Sequence, residues 1–283
     1  MQNLLMATDL SARSERALAR AIGIARDHGA TLTVVHVVDE DLPDSVRAAL
    51  ESGARQIVGD QIANLAPAGT GPKVSLEVVT GRPHREILAL AEKTASSVIV
   101  LGVHREDAFA DIFRSTTAER ILRASAVPTL LVKDPADAPY RKAMVGVDFS
   151  VYSRRAIEFA AGFAPGAAFH LVHAYDIPFK GFVGEDEDRG RIGKEHHDTL
   201  QRLIDEEMKT LLSTLPSGAP TLTPVMAEGS VRQVLRQQAE RLKPDLLVLG
   251  THGRTGAGRA ILGSVAEDFL GNPPCDLLAV KAW

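Results

Sequence analysis

The chain repeats its own pattern once, and this repeat constrains the fold more than any other feature of the sequence. The segment KAMVGVDFSVYSRRAIEFA, residues 142–160, follows NLLMATDLSARSERALARA, residues 3–21, with an aspartate and two serines in the same places. Self-similarity of this kind indicates two copies of one structural unit. Three further pairs of segments match: 31–39 with 168–176, 81–102 with 229–250, and 116–119 with 264–267.

Within each copy, short apolar segments alternate with segments of helical periodicity. Strands that alternate with helices imply right-handed crossovers and a parallel sheet covered on both faces. The predicted fold class is therefore α/β, with two tandem doubly wound domains, each a five-stranded parallel sheet flanked by helices. In the first copy the predicted strands lie near residues 3–8, 31–39, 74–81, 97–102 and 128–133.

The length of the chain agrees with two domains. Its 283 residues, 45% of them hydrophobic, suffice for two cores, since a domain takes roughly 100–200 residues. The segment DPADAP, residues 134–139, has two prolines and no apolar periodicity, which is typical of a linker. We predict one domain over residues 1–134 and a second over 141–283, packed together as an internal pseudo-dimer.

Composition excludes several partners. A net charge of -4 argues against broad attraction to nucleic acid or to an anionic membrane. The single cysteine, Cys275, cannot form a disulfide within the chain, and the first residues lack the pattern of a signal peptide. No apolar segment reaches the about 20 residues of a membrane helix. We therefore expect a cytoplasmic protein.

A glycine-rich stretch after a strand predicts a phosphate site in the second copy. Gly250, Gly253 and Gly263 lie between an apolar run that ends at Leu249 and a helical segment that begins near Ser264. Glycines let backbone N–H groups approach an anion, and a helix N-terminus adds unsatisfied donors. The first copy has Arg105 and Ser115 in place of Gly253 and Gly263.

The alternative interpretation of this stretch is a capped helix that needs no ligand. Ser264 with Glu267 and Thr116 with Glu119 each have the spacing of a capping box. A cap alone does not explain the glycines, because glycine in ordered structure costs roughly 0.5–1 kcal/mol relative to alanine. The spacing fits neither a P-loop nor the dinucleotide fingerprint, since Ala260 and Ile261 stand where those motifs need other residues.

These residues resemble a known signature. Gly-x2-Gly-x9-Gly-Ser after DLLVLG resembles the ATP-binding signature of the universal stress protein family, and Val145-Gly-Val-Asp-Phe-Ser150 resembles that family's first strand and turn. The resemblance covers essentially the whole chain as two copies. It implies a five-stranded parallel sheet in each copy, with ATP, accompanied by Mg, across the strand ends where strand order reverses.

The resemblance also implies roles for individual residues of the second copy. Val147 and Asp148 would line the adenosine end, and Ala174 would face adenine. We expect the first copy, which has lost two of the three glycines, to bind nucleotide weakly or not at all. The phosphates would be held after the strand that ends at Leu249, by Gly250, Gly253, Gly263, Ser264 and Val265, with Arg254 as a candidate for charge neutralisation.

Several polar residues have structural interpretations as well. Asp148, before Ser150, is also placed to cap the next helix. His36 and His173 occupy equivalent places within apolar strands, which favours hydrogen-bonded structural histidines. His196 and His197, between Glu195 and Asp198, form a candidate site for zinc. Adjacent positions on a helix point about 100° apart, so this segment could supply at most part of a metal shell.

The predicted function is a cytoplasmic stress-response protein that binds ATP as a state signal in a switch or scaffold, with little or no hydrolysis. We identify no catalytic residue, because no general base or water-positioning group is patterned with the glycine loop. Three alternatives remain open: a nucleotide-free scaffold that acts through dimerisation and a protein partner, a slow ATPase or related hydrolase, and a metal-binding module at His196 and His197. A homodimer of the whole chain also remains open.

Overall fold

The structure is a computed structural model of the 283-residue chain. It describes residues 1–67, 69, 71–103, 116–135, 138–176, 187–215, 221–251 and 263–281, and for residues 187–197 it describes the backbone alone.

Each half of the chain contains five strands and four helices in its described part. The first half comprises β1 (Asn3–Thr8), α1 (Ala12–His28), β2 (Thr31–Asp39), α2 (Asp44–Leu65), β3 (Val74–Gly81), α3 (Pro83–Lys93), β4 (Val98–Gly102), α4 (Thr117–Ala124) and β5 (Thr129–Val132). The second half comprises β6 (Lys142–Gly146), α5 (Val151–Phe163), β7 (Ala168–Tyr175), α6 (Glu187–Ser213), β8 (Leu222–Glu228), α7 (Val231–Leu242), β9 (Leu246–Gly250), α8 (Ser264–Gly271) and β10 (Asp276–Val280).

The strands form one sheet in the order β3-β2-β1-β4-β5-β10-β9-β6-β7-β8. Neighbouring strands within each half are parallel, which confirms the two predicted five-stranded parallel sheets. The two sheets meet at β5 and β10, which pair antiparallel. The sequence predicted a pseudo-dimer but did not predict that the two sheets would be continuous.

Helices cover both faces of the sheet, so strand side chains are buried on both sides. On β1, Leu4 and Met6 pack into one apolar cluster, whereas Leu5 packs into the other. This alternation follows from the two-residue period of a strand. Both clusters include residues from each half, and the two halves therefore share their cores. In the described ranges, no helix has the length and hydropathy needed to cross a membrane.

The turn after the first strand of each half has the same construction. Ser11 and Ser150 are the N-caps of α1 and α5, and each side chain accepts a hydrogen bond from the backbone N–H three residues later. Leu10 and Phe149, one residue before these caps, have φ of 64° and 60°. Non-glycine residues rarely adopt this left-handed conformation, which costs about 1–3 kcal/mol. The same turn is therefore held in the same strained shape twice.

The capping prediction is confirmed for α4 and wrong for α8. Thr116 is the N-cap of α4 and accepts a hydrogen bond from the N–H of Glu119. In the second half Gly263 is the N-cap and Ser264 is already the first helical residue, with no side-chain cap. The Gly263 N–H donates to the Thr251 carbonyl at 2.8 Å, and this hydrogen bond holds Gly263 at the N-cap position. Glu267 instead forms an ion pair with Arg123 across the two halves at 2.6 Å.

A buried aspartate lies at the seam between the two sheets. Asp276, at the start of β10, is fully buried. Its Oδ1 accepts hydrogen bonds from the backbone N–H groups of Lys133 at 2.8 Å and Asp134 at 3.1 Å, just after β5. Its Oδ2 accepts one from the hydroxyl of Tyr140 at 2.7 Å. One side chain of the last strand therefore holds both ends of the segment that connects the two halves.

Arg20 of α1 completes this cluster. Its Nε lies 3.2 Å from Asp276 Oδ2, and its guanidinium lies 4.6 Å from the centre of the Tyr140 ring. It also donates hydrogen bonds to the carbonyls of Ala138 and Pro135 in the connecting segment. Burial raises the pKa of Asp276, an effect only partly offset by the Tyr140 hydroxyl, the two backbone donors and Arg20. Asp276 of the second half thus holds the segment that connects the two halves, although its carboxylate charge is costly to bury.

The different starts of α4 and α8 predict a difference in stability. Thr116→Ala removes a side-chain cap and should lower the free energy of unfolding by about 1 kcal/mol. Ser264→Ala is the matched control, since Ser264 caps nothing, and should change it by less than about 0.5 kcal/mol. Urea denaturation followed by circular dichroism measures both values. Equal losses in the two variants would contradict the assigned helix starts.

The raised pKa of Asp276 predicts a pH dependence of stability. A carboxyl group whose pKa is higher in the folded state than in the unfolded state favours folding while it is protonated. Its contribution is lost as the pH rises through the folded-state pKa. Asp276→Asn should therefore gain stability relative to the wild type as the pH rises from about 4, the ordinary carboxyl value.

Urea titrations of the two proteins at several pH values measure this difference. Tyr140→Phe removes a hydrogen-bond donor that lowers the pKa of Asp276. In that variant the loss of stability with rising pH should therefore extend to higher pH. If the free energies of unfolding of the wild type and Asp276→Asn differ by the same amount at every pH, the prediction is contradicted.

Candidate functional site

The predicted site lies at the carboxyl ends of β6 and β9, where the strand order of the second half reverses. From β6 the chain proceeds to β7 on one side, while β9 lies on the other side. Val145 pairs with Val248, and this register brings Val147 and Asp148 to the same edge of the sheet as Leu249 and Gly250. Ligands of open α/β sheets bind at such reversal points.

Leu249 contributes packing rather than an exposed side chain. It is 3% exposed. A Cβ added to Gly146 would lie only 2.8 Å from the Cδ2 atom of Leu249. A side chain at 146 would therefore collide with Leu249. Any contact of Leu249 with a ligand would involve its backbone.

Asp148 supports the turn that follows β6. Its Oδ1 accepts hydrogen bonds from the backbone N–H of Ser150 at 3.0 Å and from the Ser150 hydroxyl at 2.5 Å. Ser150 in turn caps α5. The interpretation of Asp148 as the helix cap is therefore wrong, because Ser150 is the N-cap and Asp148 instead holds Ser150. The role of Asp148 in adenosine binding stays a prediction.

The histidines of β2 and β7 are fixed by backbone carbonyls. The Nδ1 atom of His36 lies 2.9 Å from the Thr8 carbonyl, and that of His173 lies 2.8 Å from the Val147 carbonyl. The ring of His173 also packs on Phe149, with 4.3 Å between ring centres. Both histidines are therefore hydrogen-bonded structural residues, as predicted. Ala174 follows on β7 and is partly buried at the same edge.

The ends of the glycine loop are tied together by a backbone hydrogen bond. Thr251 is 2% exposed, donates its N–H to the Val280 carbonyl of β10 and accepts from the N–H of Gly263. A Cβ on Gly263 would lie 3.3 Å from the Thr251 oxygen, which is a tight contact. Gly263 thus has a packing reason to be glycine. Gly253 and Arg254 lie outside the described residues.

The first turn of α8 carries no side-chain cap. The N–H groups of a helix's first turn have no acceptor within the helix itself and carry partial positive charge. At this end Ser264 is exposed and Val265 is partly buried. The structure therefore presents helix donors beside the closed base of the loop, which is the arrangement that anion binding needs.

A cavity of about 490 Å³ lies at the equivalent edge of the first half. We call it the first-half cavity. Its described lining comes from the ends of β1, β2 and β4 and from the first turns of α3 and α4. The polar residues among them include Asp9, His36, Thr116 and Arg120. The cavity could not be predicted from the sequence, because its lining joins residues that lie far apart in the chain.

The metal prediction stays untested. His196 and His197 lie on α6 where only the backbone is described. In the described part of the chain, no group of three histidine, cysteine, aspartate or glutamate side chains has the arrangement of a metal site. Cys275 is buried, and burial together with Asp276 raises the pKa of its thiol, so the sulfur stays protonated.

Sequence reasoning also missed two residues that shape the site. Thr251 anchors the loop base through its backbone, for which a sequence carries no signal. Phe149 holds the left-handed turn after β6. Its counterpart Leu10 has the same conformation. The repeat shows that the two positions are equivalent, but it does not indicate that their backbone is left-handed.

Known proteins resemble the chain over its whole length. Universal stress protein E of Escherichia coli is 24% identical over 312 residues, which cover 99% of this chain and 94% of that protein. A universal stress protein of Methanocaldococcus jannaschii is 30% identical over 149 residues, or 50% of this chain and 82% of that protein. The crystal structure of a universal stress protein from Archaeoglobus fulgidus has the same fold, with a TM-score of 0.67, 19% identity and coverage of 99% and 98% of the two chains.

The model of the universal stress protein family matches residues 1–133 and again residues 139–281. These two matches correspond to the two halves of the ten-stranded sheet. The chain therefore belongs to the universal stress protein family, as a member with two tandem copies of the family's domain.

Proposed function

We propose that the second half binds ATP, accompanied by Mg, as a state signal within a stress-response protein. The observation that carries this proposal is the loop base: the Gly263 N–H bonded to the Thr251 carbonyl, directly before a helix start that no side chain caps. A glycine-bounded loop closed in front of free helix donors suits phosphate oxygens. The site also lies at the strand-order reversal, where such folds place ligands.

Each predicted residue then has a role in the proposed complex. Val147 and Asp148 border the adenosine, and Ala174 faces the adenine ring. The backbone between Leu249 and Gly263 surrounds the phosphates. The residues that would contact phosphate are Gly250, Gly253, Gly263, Ser264 and Val265, with Arg254 neutralising charge.

The assignment of Gly263 as the N-cap clarifies the role of Ser264. As a cap, its hydroxyl would be occupied by the backbone of α8. As the first helical residue it is exposed and caps nothing. The hydroxyl is therefore available to a phosphate oxygen. The exposure of Ser264 supports it as a ligand more strongly than its position in the sequence does.

The proposed complex hydrolyses ATP slowly or not at all. Fast phosphoryl transfer needs a group that positions water and a cation that stabilises the transition state. Among the described residues of this edge, Asp148 holds the Ser150 turn and His173 holds the Val147 carbonyl. A switch requires two conformations that bind the nucleotide differently. The loop from 250 to 264 is the element that we expect to respond to ATP.

The test replaces two glycines of the second-half loop with the residues found at the equivalent positions of the first half. The double variant Gly253→Arg/Gly263→Ser places the first-half residues in the second-half loop. A Cβ at 263 crowds the Thr251 carbonyl, and arginine at 253 removes a close backbone approach. Isothermal titration with ATP and magnesium should give one site per wild-type chain and at least about a tenfold weaker Kd in the variant, equivalent to about 1.4 kcal/mol.

The matched control is Gly162→Ser, where a Cβ would meet nothing within 4 Å. It should bind ATP as the wild type does. Absence of binding at millimolar ATP in the wild type would overturn the proposal and favour a nucleotide-free scaffold. Sustained turnover of ATP, abolished by the double variant, would instead show an ATPase.

A further inference from the structure

We propose that a cavity between the two halves of the chain binds a free amino acid with an aromatic side chain. We call it the seam cavity, and its volume is about 390 Å³. Its lining includes His28, Tyr140 and Gly166, which come shortly before β2, β6 and β7. The cavity therefore lies at the amino ends of the strands, on the edge of the sheet opposite to the site proposed for ATP. Small-molecule sites enclose about 300–1,000 Å³, so such a ligand fits.

The floor of the seam cavity is aromatic. The ring centres of Tyr140 and Phe163 lie 5.9 Å apart, and those of His28 and Phe163 lie 6.4 Å apart. All three residues line the cavity, as does the buried side chain of Ile24. Aromatic rings attract one another at centre separations of about 4.5–7 Å. An aromatic side chain of a ligand would therefore extend a cluster of rings that already exists.

Hydrogen bonds hold the walls of the cavity in place. Arg20 donates to the carbonyls of Ala138 at 2.7 Å and Pro135 at 3.1 Å, and so fixes the connecting segment on one side. On the other side, Nε2 of His28 lies 3.0 Å from the Phe163 carbonyl. A carbonyl can only accept, so Nε2 donates and joins the end of α1 to the end of α5. Preformed walls reduce the ordering cost of binding.

The rim of the cavity carries one cation and one anion. Arg26 and Asp27 line the cavity from the last turn of α1, and both are exposed. Within the described ranges, neither side chain forms a hydrogen bond or an ion pair with another residue. Arginine pairs well with a carboxylate, and an aspartate accepts hydrogen bonds from an ammonium group. A zwitterion with an aromatic body is the ligand that uses both rim charges and the floor.

This charged rim belongs to the first half alone. Helix α1 has 17 residues, whereas α5 has 13. In the repeat, Phe163 at the end of α5 corresponds to Ile24, so the turn formed by residues 25–28 of α1 has no helical counterpart in the second half. That additional turn supplies Arg26, Asp27 and His28. We therefore expect one such site per chain.

A glycine gives access to the cavity for a test. Gly23 lies within α1 and lines the cavity, and a Cβ added there would meet nothing within 4 Å. Glycine within a helix is unfavourable relative to alanine. A larger side chain at this position would enter the seam cavity without removing any existing contact.

Isothermal titration of the full chain tests the ligand. The probes are L-phenylalanine and L-tryptophan, each compared with the matching amine, which lacks the carboxylate, and the matching carboxylic acid, which lacks the ammonium group. At least one amino acid should bind at one site per chain, at least about threefold more tightly than its amine or its acid, since each analogue loses one exposed charge pair. L-alanine should bind at least about tenfold more weakly, because it lacks the ring.

Two results of this titration would overturn the proposal. One is the absence of binding of both amino acids at millimolar concentration. The other is an amine or an acid that binds as tightly as the amino acid, because a zwitterion would then have no advantage.

Filling the cavity locates the binding. Gly23→Leu should weaken binding of the amino acid at least about tenfold, because the leucine side chain occupies the space of the ligand. Gly162→Leu is the matched control: it is the equivalent position of α5, a Cβ there also meets nothing within 4 Å, and the described lining does not include it. Unchanged binding in Gly23→Leu would show that the amino acid binds elsewhere. ATP titration should be the same in both variants, so either proposal can fail without the other.

Neutralising the rim tests the zwitterion and remains informative if Gly23→Leu does not fold. Arg26→Gln should weaken binding of the amino acid at least about threefold and leave the amine unchanged, because the amine has no carboxylate to lose. Asp27→Asn should weaken the amino acid and leave the acid unchanged. The exposed α1 controls Arg16→Gln and Glu15→Gln should change neither. Wild-type binding in both rim variants would overturn the proposal.

Discussion

The antiparallel pairing of β5 with β10 is the contact on which the rest of the structure depends. It converts two five-stranded sheets into one, and each strand covers an edge that the other half would leave open. Asp276 secures this seam by binding the backbone after β5, and Arg20 secures the connecting segment. The strand register places Pro128 at the corresponding position of the first half, so this function belongs to one half alone. The repeat is therefore symmetric in fold and asymmetric at the seam.

This asymmetry continues at the carboxyl ends of the strands in the two halves. Both halves keep the strained turn, the serine cap and the carbonyl-bound histidine, because those features hold the strand ends whatever binds there. They differ in the cap of the fourth helix, because the side chain of Thr116 caps α4, whereas the N-cap of α8 is Gly263, which has no side chain. Arg123 and Glu267 join these two helices across the seam. The last turn of α4 is thus in direct contact with the first turn of α8.

Much of the fold could be predicted from the sequence, because the repeat and the apolar runs fix the strands. The predicted strand 74–81 coincides with β3, and Gly29 ends α1 as expected. The start of α8 at Ser264 was predicted correctly, but its cap was not, because Gly263, bonded to the Thr251 carbonyl, occupies the N-cap position. Contacts between distant backbone atoms leave no pattern in a sequence. The first-half cavity and the Asp276 cluster escaped prediction for the same reason, since each joins residues far apart in the chain.

The central claim is that the second half holds a nucleotide and the first half does not. Native mass spectrometry of the full chain after incubation with ATP and magnesium tests it most directly. The account predicts a complex with one ATP per chain. Two ATP molecules per chain would contradict the division between the halves, and a spectrum that contains only the free chain at millimolar ATP would contradict nucleotide binding itself.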